Sequence, residues 1–212
     1  MTYFGKAAAV LAAATAAVAA TLSAGSPATA ASTWTVAPGG VFTGPSASAI
    51  VGDTATGAQW RCGSGSAGGA FAPGAGQTGT GIATFSSWTA RTCTGPLGIP
   101  VTLTALRLPW RLDTGGYDPV TGTATGTLTG ASMHWVGAAG GTADFDGPGG
   151  AGSGTGVLTV SYVNGSGVFT VTGGNLHVHN AAGEFLGLVN DGDPWTFGGS
   201  FTLNPRTTVT SP

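Results

Sequence analysis

The sequence predicts an all-β protein, an antiparallel β-sandwich or β-barrel, stapled by one disulfide and preceded by a cleaved N-terminal signal peptide. Three observations carry this expectation. Apolar and polar residues alternate at period 2 in segment after segment, and nothing beyond residue 30 sustains a helical period. Forty glycines and frequent β-branched residues break up any long helix. Six tryptophans and nine phenylalanines supply the bulk of a core, for which a disordered glycine-rich chain has no use.

The elements follow in chain order. Residues 1–30 read as a secretory leader. Lys6 gives a short positive start, an alanine-rich apolar run follows, and Ala28-Thr29-Ala30 forms a small-residue cleavage signal. Residues 31–212 then make a single all-β domain, long enough to bury one substantial core. Short strands are expected at 33–36, 49–52, 58–62 and 82–89. The stretch GSGSAGGAFAPGAGQTGTG (63–81) reads as a long loop, enclosed by Cys62 and Cys93. In an exported chain two cysteines pair, and with only two the connectivity is forced.

Further along, VTLTAL (101–106) puts Val101, Leu103 and Ala105 on one face. Residues 120–130 alternate threonines with small residues and Leu128, and shorter strands are expected at 131–136 and 142–146. A second glycine-rich stretch, 137–156, reads as another long loop. VLTVSYV (157–163) and GVFTVT (167–172) flank NGSG, a hairpin turn. Finally, residues 195–203 place Trp195, Phe197, Phe201 and Leu203 on one side. Ten or more strands with no intervening helix pair sequentially and antiparallel, as in a sandwich or barrel.

Charge narrows the function classes. Beyond the leader there is no lysine, and five arginines face eight acidic residues. Without a basic patch to neutralise phosphates, nucleic acid is not an expected partner. No later stretch has the ~18 continuous apolar residues of a membrane helix, so no span is expected in the mature form.

Several phrases occur together: TWTVAPGG (33–40), CTGPLG (93–98), LPWRL (108–112), GGNLHVHN (173–180) and LGLVNDGDP (186–194). In these the chain resembles a family of uncharacterised secreted all-β proteins of actinobacteria, over nearly the whole mature length. The resemblance implies export and a β fold and assigns no activity. It also implies a second cysteine pair near 137–141 and 182–187, which this chain lacks, so those segments are expected side by side.

The chemical candidates are few. His177 and His179 share one face of a strand and can converge on a metal ion. With Glu184 they resemble the first metal motif of the cupin barrels, but no histidine follows on a later strand, and His134 lies upstream. If 176–180 returns over 185–189, the facing residues include no ligand. Two histidines on the wet face of a half-buried strand account for the pattern without metal. The pairs Asp144/Asp146 and Asp191/Asp193 read as turn residues; they match no EF-hand calcium loop. No G-x-S-x-G elbow is present.

Tryptophans are the remaining lead. Exposed ones stack on sugars, and Trp110, after Leu108-Pro109, is expected at an exposed strand edge, with Trp135 a second stacking candidate. The expectation is therefore a secreted, non-catalytic structural or binding protein with no cofactor. A carbohydrate-binding module for cell-wall or extracellular polysaccharide and a small metal-dependent enzyme using His177 and His179 are the alternatives.

Overall fold

In a computed structural model the described residues are 33–46, 48–96, 98–183 and 185–212. The expected leader and Glu184 lie outside them. The described residues form sixteen strands: β1 (Trp34–Ala37), β2 (Gly40–Ser46), β3 (Ala49–Asp53), β4 (Gln59–Phe71), β5 (Gly74–Gln77), β6 (Ala83–Thr94), β7 (Pro100–Ala105) and β8 (Trp110–Asp118). They continue as β9 (Thr123–Thr129), β10 (Met133–Gly137), β11 (Thr142–Asp146), β12 (Val157–Val163), β13 (Val168–Gly174), β14 (Leu176–Ala182), β15 (Pro194–Thr202) and β16 (Thr208–Thr210). All pairings are antiparallel.

Ten strands run in a near-closed ring, β13-β12-β9-β8-β6-β7-β10-β11-β14-β15, with β15 returning to β13. The protein is thus barrel-like. β3 and β4 cross this ring, because β6 pairs with β4, β4 with β3, and β3 with β15. Two smaller rings result, sharing their longest strands. β6 meets β8 along 83–85 and β7 along 89–94. β4 meets β3 along 59–62 and β2 along 65–71. β15 meets β14 at 194–195 and β13 along 199–202.

The ring β6-β7-β10-β11-β14-β15-β3-β4 is hydrogen-bonded throughout. Among the described residues, the ring β6-β8-β9-β12-β13-β15-β2-β4 is closed between β2 and β15 by the single bridge Thr43–Asn204, just past the end of β15. A separate sheet, β16-β1-β5, lies against this second ring. It is pinned by Tyr162, whose hydroxyl donates to the Thr207 carbonyl (2.8 Å), and by Asn164, bonded twice to Val209.

Alternation explains the interior. Inward positions along the strands are large and apolar, and burying each contributes about 1.5–3 kcal/mol. Phe42, Phe71, Phe85, Phe169 and Tyr162 fill one ring. Trp60, Trp135, Trp195, Phe145 and Phe185 fill the other. Trp88, Trp110, Phe197 and Phe201 pack where the two meet.

Two segments differ from expectation. The glycine-rich stretch 63–81 is not a loop: residues 63–71 continue β4, and 74–77 form β5. At Gly65, Gly68 and Gly69 neighbouring strands press on both sides. A Cβ on Gly69 would sit 2.0 Å from the Thr84 carbonyl oxygen and 2.7 Å from the Phe42 ring. Nor does 176–180 form a hairpin with 185–189; β14 pairs with β11 and β15 instead.

Segments 137–141 and 182–187 do adjoin: Thr142 pairs with Ala182, and a Cβ on Gly183 would lie 2.8 Å from the Gly141 Cα. The disulfide joins Cys62 and Cys93, directly opposed in the β4–β6 ladder and fully buried. It closes a loop with a sequence separation of 31 residues. Replacing both cysteines by serine is expected to cost about 3–4 kcal/mol, read as a fall of roughly 10 °C in the melting midpoint.

Candidate functional site

The three histidines stand on outward faces, opposite the buried Met133, Trp135, Leu176 and Val178 that fix those strands inward. Register places His134, Asp144 and His179 side by side on β10, β11 and β14. His134 Nδ1 donates to Asp144 Oδ1 at 2.7 Å, and Asn180 donates to Asp144 Oδ2 at 2.9 Å. His179 Nε2 donates to the Gly147 carbonyl and His177 Nδ1 to the Asn175 carbonyl, both at 3.1 Å.

Two strand spacings separate His134 from His179, roughly 10 Å, whereas metal ligands must each come to about 2 Å. Each ring gives one nitrogen to a local hydrogen bond, and no cluster of three or more metal-ligating side chains occurs among the described residues. The cross-strand partner of His177 is Asp146, yet that carboxylate is buried and turned elsewhere. It accepts from the amides of Gly147, Gly154 and Gly156, organising the 147–156 loop.

The tryptophans are also placed differently from expectation. Trp110 is 0% exposed and Trp135 1%, and none of the six presents a face to solvent. Trp110 pairs opposite Phe85, stacks near Trp88 and donates from Nε1 to the Leu106 carbonyl. The preceding proline therefore marks a turn into the core rather than an exposed edge. Trp135 and Trp195 are buried with indole N–H groups that have no partner. A small cavity of about 30 Å³ lies beside Trp135, walled by Trp60, Phe185 and Leu188.

A large concavity lined in part by hydroxyls lies where β2 and β15 diverge. It is a groove of about 580 Å³, walled by Pro45, Ser46, Ile50, Val168, Ser200 and Thr202 and floored by Gly198 and Gly199. No charged side chain lines it. Ile50 is 39% exposed and offers an apolar surface. Ser200 is hydrogen-bonded to Thr170 at 3.1 Å, and Ser46 Oγ donates to the Ser48 carbonyl.

The groove continues onto a sheet face of outward hydroxyls: Thr125, Ser161, Thr170 and Ser200 face one another in register across β9, β12, β13 and β15. Sequence reasoning missed this site. The local signal for it was Gly198-Gly199 inside an otherwise aromatic strand, since strand glycines mark places where something approaches the backbone closely. No family model, curated protein or solved structure matches this chain.

Proposed function

We propose that this chain is an exported, non-catalytic binding protein, and that it holds a neutral, hydroxyl-rich ligand, a segment of extracellular polysaccharide, in the groove between β2 and β15. The observation that carries the proposal is the groove itself. Its volume falls in the range of ligand sites, roughly 300–1,000 Å³, and its walls offer serine and threonine oxygens beside Ile50 and Val168 but no charge. Such a lining suits sugar hydroxyls and C–H faces and gives no reason to select a phosphate or carboxylate. Export accords with a disulfide as the sole covalent staple. The tryptophans are not available to stack on a sugar, because their rings are interior.

The test exploits Gly198. A Cβ there meets nothing closer than 3.8 Å, and its φ lies outside the left-handed region. Gly198→Leu is therefore expected to fill the groove with little loss of stability. Retention on insoluble neutral glycans, measured by pull-down, should fall at least tenfold for this variant, while its melting midpoint stays within a few degrees of the parent. Absence of retention by the parent chain on a broad glycan panel would sink the proposal.

A further inference from the structure

We propose that Asp53 and Asp193 together bind a divalent cation, Ca²⁺ by preference, which fastens the 185–193 segment to the end of β3. Asp53 is 2% exposed. Its Oδ1 accepts from the amides of Ala55 and Thr56, each at 2.9 Å, and so organises the turn after β3. Its Oδ2 is buried and receives no N–H donor; the group it meets is the Asp193 carboxyl. An orphaned carboxylate oxygen of this kind costs more than an ordinary unmade bond, because the group is formally charged.

The backbone brings a second carboxylate to it. Asp53 stands opposite Trp195 in the β3–β15 ladder, and both the amide and the hydroxyl of Thr54 donate to the Pro194 carbonyl at 3.0 Å. This sets the Asp193 carboxyl facing Asp53. Asn190 Nδ2 steadies Asp193 Oδ2 at 2.9 Å. No cation of the protein answers the pair: the ion pairs among the described residues are Arg111–Asp113 and His134–Asp144. Burial, with the neighbouring Asp193 adding to it, pushes the Asp53 carboxyl above the usual carboxylate range.

Two carboxylates that meet beside an orphaned oxygen are relieved by a hard cation. An all-oxygen donor set selects Ca²⁺ or Mg²⁺ over Zn²⁺, and waters on the half-exposed Asp193 side complete the shell. The site would also hold a closure in place. Phe185, Leu188 and Val189 of the adjoining segment pack on the core, Phe185 against Trp135, and Thr56 Oγ1 donates to the Leu188 carbonyl. The cation would thus clamp the segment that covers the tryptophan cluster. This inference is independent of the polysaccharide groove, which is built from other residues.

The experiment is a pair of measurements on the disulfide-bonded chain. In melts at constant ionic strength, 10 mM CaCl₂ is expected to raise the midpoint by about 4 °C over EDTA, for a dissociation constant near 1 mM. Asp193→Asn should lose that shift, and Asp191→Asn, which keeps its bond to the Ala181 amide, should retain it. Terbium should show emission sensitised by Trp195 and displaced by Ca²⁺. Two results would each overturn the site: no calcium shift and no displaceable terbium emission, or an undiminished shift in Asp193→Asn.

Discussion

Valine in place of Gly69 is expected to abolish cooperative folding. At this position β4 passes between β2 and β6, and the β4–β6 register shifts between Gly68 and Gly69. The first atom of any side chain would lie 2.0 Å from the Thr84 carbonyl oxygen, 2.7 Å from Phe42 and 3.0 Å from the Phe85 Cα. Two of those three neighbours are backbone of a central strand and cannot swing away. Strand displacement would part β4 from β6 beside the Phe42–Phe85 contact, a loss of more than about 4 kcal/mol. Gly115→Ala is the control. It meets nothing within 4 Å, so its unfolding free energy should stay within about 0.5 kcal/mol of the parent. If Gly69→Val melts sharply near the parent temperature, the close packing of these three strands is wrong.

The second large effect is expected at Trp195. It stacks on Phe145 with ring centroids 4.2 Å apart, and its ring lies 5.5 Å from Trp135 and 5.7 Å from Trp60. Trp195→Ala removes the centre of this cluster at a cost of about 3–5 kcal/mol, a large share of the roughly 5–15 kcal/mol that holds a domain together. Trp195→Phe should cost far less, about 1–2 kcal/mol, because the indole N–H it deletes is buried without an acceptor. Urea denaturation of both variants at 25 °C decides the matter. Equal losses would mean that the N–H does have a partner, such as a buried water.

Period-2 alternation made much of this architecture legible. The strand expected at 157–163 is β12 residue for residue, and its hairpin with β13 turns at the expected place. The histidines of β14 face outward as their spacing indicates. What stayed hidden has physical causes. Residues 63–71 suppress every local strand signal, because crowding by neighbours selected glycine over β-branched side chains. β8 was missed because its alternation is broken by a register shift between Thr114 and Gly116. β2 carries Pro45, and it lies where the second ring is held by one bridge, a place where a proline costs little.

The site was less legible than the fold. Its walls come from β2, β3, β13 and β15, and no local pattern assembles residues so far apart in the chain. The cross-strand neighbour of His179 was likewise out of reach. Asp144 lies 35 positions upstream, and only long-range register brings the two together. Asp53 and Asp193 meet for the same reason.

β4, β6 and β15 each serve two rings in turn. Neither aromatic cluster can loosen without dragging at the strands that hold the other. A protease is thus expected to find both clusters open together rather than one alone.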